Sequence, residues 1–182
     1  MLNLDQLASS LGYSKAEPLV ADCHHVCELA LLEGKVIAKY ASSHNYHGSC
    51  RHLMNEQQAM RALSGHPNYP RFIDFLEDTP ARLNGNPVPV LLREFIVGEI
   101  SEAEEIRASP ELYEQILTAI RDAHSAGYSN LDIKGTNIII TPTGKPVLID
   151  LGTAYWRKRE SPDHFFNGCR RDFWDLDKVF ED

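Results

Sequence analysis

The sequence predicts an α+β protein built from two parts. Strand-like apolar segments dominate the first 95 residues, and helix-like periodicity dominates after Gly98. The chain has 182 residues, of which 43% are hydrophobic and 24% are charged, so it can bury a core of ordinary size. We expect an N-terminal part at residues 1–95 that is based on an antiparallel sheet, and an abbreviated, mainly helical part at residues 96–182.

The N-terminal part is predicted to begin with a helix and to continue into a hairpin. Four leucines have the spacing of one apolar helix face, at positions 2, 4, 7 and 11, and we expect Pro18 to end this helix. Residues 26–32 and 35–41 are rich in apolar side chains, and the turn signal Glu33-Gly34-Lys35 separates them. This pattern is typical of two antiparallel strands.

The rest of this part is predicted to contain one helix and one further strand pair. Residues 41–50 are polar and suggest a loop, and residues 51–65 favour a helix that stops near Gly65. Residues 70–78 and 87–96 then flank a turn-rich segment, as expected of an antiparallel pair.

The C-terminal part is predicted to contain a long helix followed by a hairpin. Ser109 and Pro110 are a cap and a first helical residue, and Gly127 ends the helix. Residues 137–141 and 146–152 are short apolar strands around a Thr-Gly-Lys turn, and a polar stretch then leads to a final helical segment.

Charge and hydropathy limit the partners and the compartment. The formal net charge is −8, which argues against broad binding to nucleic acid, although residues 157–159 form a short basic run. No segment approaches the roughly 20 apolar residues that span a bilayer, and the N-terminus lacks the pattern of a signal peptide. We therefore expect a cytoplasmic protein without a membrane span.

Cysteines and histidines form two local groups whose role stays open. The first group is at residues 23–27 and the second is at residues 44–52, and a chain of this length needs no disulfide framework. The spacings match no standard zinc finger, so solvated side chains and reduced thiols are the favoured interpretation.

The loop at residues 130–137 carries the residue types that phosphoryl transfer requires. Asp132 is followed by Lys134 and Asn137, just before an apolar strand. A carboxylate can orient or accept the proton of an attacking hydroxyl, an ammonium group can balance phosphate charge, and an amide oxygen can bind a metal. The next strand ends at Asp150, so a hairpin would bring a second oxygen ligand beside Asn137, which suits Mg²⁺.

These motifs resemble those of the protein-kinase superfamily. Asp132-x-Lys134-x-x-Asn137 is similar to the catalytic loop, and Asp150-Leu151-Gly152 is similar to the metal-binding Asp-Phe-Gly motif. The resemblance implies a two-lobed fold with ATP between the lobes, Asp132 and Lys134 as catalytic residues, and Asn137 and Asp150 as ligands of Mg²⁺, with Mn²⁺ as the alternative.

The resemblance also assigns residues that hold the nucleotide. Lys39 on the third strand and Glu56 on the following helix match the pair that positions the α- and β-phosphates. Backbone groups at Glu94 and Ile96 match the hinge that meets the adenine edge. These four residues are therefore the predicted ATP-binding set.

Three departures from the family pattern predict a minimal, atypical member. Residues 19–29 contain no glycine, so His24 or His25 is a candidate to contact the phosphates. Asn130-Leu131 replaces His-Arg before the catalytic aspartate, and no Ala-Pro-Glu motif follows Gly152. The C-terminal segment resembles RIO-type kinases, which implies that Asp172 anchors the backbone of the catalytic loop from a helix. Small lipopolysaccharide kinases share the same core.

The resemblance implies an ATP-dependent Ser/Thr kinase, with an acceptor that is an unidentified protein or small molecule. Lys134 two residues after Asp132 favours a protein hydroxyl. A kinase for a sugar or another small molecule is the second interpretation, because the C-terminal part is short. A pseudokinase or regulatory nucleotide-binding module is the third, because the glycine-rich loop is missing.

Overall fold

The structure, a computed structural model, describes residues 2–19, 27–101 and 109–181. The chain divides into two compact units. The first comprises the residues up to Gln57 together with Arg71–Phe95, and the second comprises Gln58–Pro70 together with the residues from Ile96 onward. The segment Gln58–Pro70 lies within the N-terminal part expected at residues 1–95, but it packs with the second unit.

The first unit is built on a five-stranded antiparallel sheet in the order β1-β2-β3-β7-β4. Its strands are β1 (Ala16–Leu19), β2 (Cys27–Leu32), β3 (Val36–Ala41), β4 (Phe72–Leu76) and β7 (Val90–Glu94). The predicted hairpin is present as β2 and β3, with Leu29 opposite Lys39. The prediction that Pro18 ends the N-terminal helix is wrong, because that helix ends at Ser10. Pro18 lies in β1, an edge strand that tolerates its missing N–H.

One face of this sheet forms the core of the first unit. Ala38 and Tyr40 on β3 and Leu92 on β7 lie in one buried apolar cluster. Leu7 and Ala8 on α1 (Leu4–Ser10) belong to the same cluster, as predicted from the leucine spacing. The small hairpin of β5 (Arg82–Leu83) and β6 (Asn86–Pro87) adds to it. Because side chains alternate along a strand, β3 places Lys39 on the opposite face.

The helix after this hairpin is longer than predicted. We expected a loop over residues 41–50, but α2 covers Tyr46–Ala62. The side chain of Asn45 accepts a hydrogen bond from the backbone N–H of Gly48 at 3.1 Å, which is the contact that an N-terminal cap makes. The glycine in the sequence therefore marks the first turn of the helix and not a loop.

The second unit contains two long helices and two small sheets. The helices are α3 (Pro110–Ser125) and α4 (Pro162–Glu181), and a single 3₁₀ turn covers Gly135–Asn137. The first sheet has the order β11-β10-β8, and the second pairs β12 with β9. These strands are β8 (Glu99–Ile100), β9 (Tyr128–Ser129), β10 (Ile138–Ile140), β11 (Pro146–Leu148) and β12 (Tyr155–Trp156).

The helix α3 follows the sequence prediction closely. The side chain of Ser109 accepts a hydrogen bond from the N–H of Leu112, and Pro110 occupies the first helical position. Leu112, Ile116 and Ile120 are buried along one face, as their spacing predicted. This unit and the antiparallel sheet of the first unit together confirm the α+β class.

Within the described part of the chain, none of the helices combines the length and the apolar character that crossing a bilayer requires.

Replacing Gly98 with alanine should destabilise the second unit. A Cβ atom at this position would overlap the backbone carbonyl oxygen of Ile140 and would lie 2.6 Å from Cγ2 of Ile139, so β8 could not approach β10 as it does. We expect a loss of about 1–3 kcal/mol in the free energy of unfolding, measured by urea denaturation. Val97→Ala is the matched control, since Val97 is 63% exposed. Equal stability of the two variants would contradict the close approach of these strands.

Candidate active site

A buried ion pair lies in the first unit. The ammonium group of Lys39 on β3 is 2.6 Å from Oε2 of Glu56 on α2, and their side chains are 7% and 0% exposed. Charges are costly to remove from water unless they are paired, so each of these two side chains constrains the other. The structure thus brings together the two residues that the sequence predicted to position the phosphates.

The loop that carries Asp132 is held by one carboxylate from α4. Asp172 is fully buried, and its two oxygens accept hydrogen bonds from the backbone N–H groups of Asn130 at 2.9 Å and Leu131 at 2.6 Å. Nε2 of His124 on α3 lies 2.8 Å from the same carboxylate. The interpretation that Asp172 anchors this loop from a helix is confirmed.

The environment of Asp172 acts on its carboxyl group in two opposite directions. Burial raises the pKa of Asp172 above its ordinary value, because removing the carboxylate from water disfavours its charged form. The hydrogen bonds from His124, Leu131 and Asn130 oppose this shift, because they favour the charged form. The net direction is upward, so desolvation dominates.

The anchored loop adopts a backbone conformation that few residues favour. Asn130 has a φ of 58° and Asp132 has a φ of 53°, both in the left-handed region. Asparagine and aspartate tolerate this region better than most residues, and the contacts of Asp172 with the intervening backbone hold it in place. Strain of this kind is concentrated at functional sites.

Asp132, Lys134 and Asn137 form one contact group in the second unit. Oδ2 of Asp132 is 2.7 Å from Nζ of Lys134 and accepts a hydrogen bond from Nδ2 of Asn137 at 3.0 Å. Nδ2 of Asn137 also donates to the backbone carbonyl of Asp132 at 2.9 Å. The side chain of Asp132 is 35% exposed, so its carboxylate is oriented by two neighbours and still reaches solvent.

Asp150 lies two residues after the end of β11, and β11 pairs with β10, the strand that follows Asn137. Ile138 lies opposite Leu148, and the backbone N–H of Ile149 donates to the carbonyl of Asn137 at 2.9 Å. Oδ1 of Asp150 accepts a hydrogen bond from the N–H of Gly152 at 3.0 Å. The hairpin therefore places Asp150 one residue beyond the contact with Asn137, as the order of elements predicted.

The donor set at this hairpin fits a hard divalent cation. Nδ2 of Asn137 is engaged with Asp132, which leaves the amide oxygen as the atom that can serve as a ligand. A carboxylate accepts at several positions, so the bond from Gly152 is compatible with coordination by Asp150. Oxygen ligands of these two types are the ones that Mg²⁺ prefers.

Asn130 and Thr153 form a reciprocal pair that sequence reasoning missed. Nδ2 of Asn130 donates to the backbone carbonyl of Thr153 at 2.8 Å, and Oγ1 of Thr153 donates to the carbonyl of Asn130 at 2.9 Å. This pair joins the segment after Gly152 to the loop before Asp132. The sequence showed Asn130 only as a departure from the family pattern, and nothing in it indicated Thr153 as the partner.

The predicted hinge residues are Glu94 at the end of β7 and Ile96 two positions later. Glu94 is the last residue of β7, its N–H donates to the carbonyl of Arg71 at 3.0 Å, and its Oε2 accepts from the N–H of Arg71 at 3.2 Å. Ile96 belongs to the second unit and lies outside the strands. The assignment of Glu94 and Ile96 to adenine binding stays a prediction.

The first cysteine and histidine group is mostly outside the described residues. Cys23, His24 and His25 lie in the undescribed segment 20–26, together with most of the stretch in which a glycine-rich loop was expected. Of the described cysteines, Cys27 is buried, Cys50 and Cys169 are half-buried, and none of these three is in a disulfide.

Comparison with known families identifies the chain. The model of the protein kinase domain matches residues 19–170, which is most of the sequence. The chain therefore belongs to the protein kinase family, and the predicted resemblance and kinase-like fold class are confirmed. The match does not single out the RIO-type or lipopolysaccharide-kinase-like subtype, which stays a prediction.

Two curated relatives to which the chain is similar are protein kinases by name. The chain is 36% identical over 72 residues to the serine/threonine-protein kinase PknA of Mycobacterium tuberculosis, which covers 40% of this chain and 15% of the relative. It is 31% identical over 133 residues to mitogen-activated protein kinase kinase kinase 3 of Arabidopsis thaliana, which covers 69% of this chain and 19% of the relative. The matched regions thus span less than a fifth of either relative's length.

Breaking the buried pair in the first unit should cost more than removing both partners. We expect Lys39→Met or Glu56→Leu alone to lower the free energy of unfolding by about 3–5 kcal/mol, because each leaves the other charged side chain buried without its counterpart. The double variant Lys39→Met/Glu56→Leu should lose less than the sum of the single variants. Urea denaturation measures all three, and Lys15→Met in an exposed pair is the control. Additive losses would contradict the coupling.

Asp172 should make stability depend on pH. Because its pKa is raised in the folded chain, that state binds more protons than the unfolded chain between the two pKa values. The contribution of Asp172 to stability therefore falls as the pH rises through the folded pKa. We expect the stability of the wild type, relative to Asp172→Asn, to be higher at pH 4 than at pH 7.

Urea denaturation of both proteins at intermediate pH values measures this difference. The same series with His124→Asn in both backgrounds is the control for the imidazole that contacts the carboxylate. If the stability of the wild type relative to Asp172→Asn rose with pH, the hydrogen bonds to Asp172 would lower its pKa by more than burial raises it.

Proposed function

We propose that this chain is an ATP-dependent protein kinase that transfers the γ-phosphate to a serine or threonine hydroxyl. The observation that carries the proposal is the contact group of Asp132, Lys134 and Asn137 on a loop whose backbone is fixed by Asp172. Phosphoryl transfer depends mainly on positioning and on balancing charge, and this group supplies both. The relative PknA is a serine/threonine-protein kinase by name, which supports a protein acceptor with a hydroxyl group.

Asp132 is the residue that would orient the accepting hydroxyl. Its carboxylate reaches solvent but is held from two sides, by Lys134 at 2.7 Å and by Asn137 at 3.0 Å. A carboxylate in this position accepts a hydrogen bond from the attacking hydroxyl and can take its proton as the phosphate is transferred. Lys134 contacts Oδ2 of Asp132, and its side chain is 53% exposed. Its ammonium group can therefore also balance charge on the transferred phosphoryl group.

Asn137 and Asp150 are the proposed metal ligands. Mg²⁺ bound with ATP would shield the phosphate charge and polarise the phosphoryl oxygens. The residues of the hairpin hold the two oxygen ligands in register, because Ile149 is bonded to the backbone of Asn137. Mn²⁺ favours the same oxygen ligands and is the proposed alternative.

Lys39 is proposed to bind the α- and β-phosphates, with Glu56 holding its ammonium group in place. Glu56 is fully buried, so the pair has little freedom to rearrange. A lysine that is held on one rotamer loses less conformational entropy when it binds a phosphate than a mobile surface lysine does. Glu94 and Ile96 are proposed to meet the adenine through their backbone groups.

The pair of Asn130 and Thr153 supports activity without phosphorylation of the segment after Gly152. Two hydrogen bonds between neutral groups already join this segment to the loop that carries Asp132. In kinases that depend on loop phosphorylation, a phosphate paired with arginine supplies such a connection. We propose that this chain is an atypical kinase in this respect.

Transfer assays with two aspartate variants test the proposed function. With γ-labelled ATP, Mg²⁺ and a mixture of Ser/Thr peptides, Asp132→Asn should lower the rate about 100-fold or more while nucleotide binding persists. Asp150→Asn should weaken nucleotide binding only when Mg²⁺ is present. Asp74→Asn, at an exposed position on β4, is the matched control and should keep wild-type activity.

The outcomes separate the alternatives. Label transferred to sugars or small molecules but not to peptides would support the small-molecule interpretation. Nucleotide binding that equals the wild type in every variant, without any transfer, would indicate a pseudokinase. Mg²⁺-independent binding in the wild type would contradict the roles of Asn137 and Asp150.

A further inference from the structure

A short basic cluster remains outside the proposed catalytic roles. Arg157, Lys158 and Arg159 are consecutive and exposed, in a chain whose formal net charge is −8. In most proteins such a run is a solvated surface. Two features of this cluster indicate a more specific role: it has no acidic partner among the described residues, and its side chains and backbone are supported by neighbouring groups.

The carboxylates that the structure describes are not paired with the three cations. Among the residues that the structure describes, none of the three forms an ion pair with an aspartate or glutamate, whereas Lys15, Lys39 and Lys134 each do. The adjacent Glu160 is engaged with His164 instead, with its Oε2 2.6 Å from Nδ1. The positive charge of the cluster is therefore available to a partner.

Aromatic rings hold these cations in place. Nζ of Lys158 lies 5.6 Å and Cζ of Arg159 lies 5.4 Å from the ring centre of Trp156, and Cζ of Arg157 lies 5.9 Å from the ring centre of the buried Phe165. Cation–π contacts at these distances are weakly favourable and restrict the side chains. A restricted cation loses less entropy when it binds an anion.

The backbone of the cluster is also fixed. Trp156 pairs with Tyr128 across β12 and β9, and the N–H of Arg157 donates to the carbonyl of Gly127 at 2.9 Å. The N–H of Arg159 donates to the carbonyl of Trp156 at 2.8 Å. The cluster is thus a continuation of the sheet and not a free loop.

The same sheet connects the cluster to Asp132. Ser129 lies opposite Tyr155, Asp132 is three residues beyond Ser129, and Arg157 is two residues beyond Tyr155. With about 3.5 Å per extended residue and about 5 Å between paired strands, the Cα atoms of Asp132 and Arg157 are at most about 25 Å apart. An extended peptide of roughly seven residues covers this distance.

We propose that this basic cluster docks an acidic segment of the protein acceptor while Asp132 engages the hydroxyl. This proposal rests on the proposed kinase function and adds the substrate class, which is a peptide with glutamate or aspartate residues up to about seven positions from the accepting serine or threonine. Charge complementarity favours such a segment, since none of the three cations forms an ion pair with a described carboxylate. The cluster follows β12 at the end of the two-stranded sheet opposite to the end that leads to Asp132, and the distance above sets the length of the peptide that reaches both.

Two peptides and two triple variants test the proposal. The peptides share one serine, and one carries three glutamates about six residues away, where the other carries three glutamines. Arg157→Gln/Lys158→Gln/Arg159→Gln removes the cluster. Arg121→Gln/Arg170→Gln/Lys178→Gln removes the same charge from exposed positions elsewhere in the second unit and is the matched control.

We expect the KM to change only for the cluster variant acting on the acidic peptide. The wild type and the control should show a KM for the acidic peptide about 10-fold below that for the neutral peptide, and the cluster variant should lose this preference. The kcat on the neutral peptide should be the same in all three proteins. Raising the salt concentration to about 0.5 M should abolish the preference in the wild type.

Binding of the labelled acidic peptide to Asp132→Asn, followed by fluorescence anisotropy, separates docking from transfer. Binding without transfer by the wild type would overturn the proposed function and still support the docking surface. Equal KM values for both peptides, equal loss in the control variant, or competition by single-stranded nucleic acid at lower concentration than the acidic peptide would each overturn the docking proposal.

Discussion

The carboxylate of Asp172 fixes the backbone on which the rest of the candidate site depends. It accepts the N–H groups of both residues that precede Asp132, and its burial makes these bonds stronger than they would be in water. A backbone at a φ of 53° would otherwise relax to a more populated region. The orientation of Asp132, and through it the contacts with Lys134 and Asn137, therefore follows from one side chain 40 residues further along the chain.

The sequence predicted most of the regular elements and the composition of the site, because both depend on local patterns. The cap at Ser109, the hairpin around Gly34 and the spacing from Asp132 to Asn137 are all readable within a few residues. The start of α2 was predicted too late, since Gly48 suggested a loop when it in fact lies in the first turn. Two-residue strands such as β9 carry too little periodicity to be detected.

Contacts between distant residues were predictable only where a family pattern supplied the partner. The resemblance led to Lys39 and Glu56 being paired although 16 positions separate them, and to Asp172 being placed at the catalytic loop. The contacts of His124 with Asp172 and of Asn130 with Thr153 had no such guide. A histidine on an apolar helix face and a threonine after a glycine are ordinary residues until tertiary packing gives them partners.

Asn130 and Leu131 replace the His-Arg of the family pattern before Asp132, and this replacement is best understood together with the contacts of Thr153. An asparagine side chain is short enough to bond the backbone of Thr153 directly, and its own carbonyl accepts the threonine hydroxyl in return. Leu131 is 1% exposed and adds apolar contacts where an arginine would need a charged partner. These hydrogen bonds join uncharged groups, so they hold the loop without a phosphate. The same contacts support the proposal that the cations at positions 157–159 bind another molecule, because they hold the segment before this cluster without using its charges.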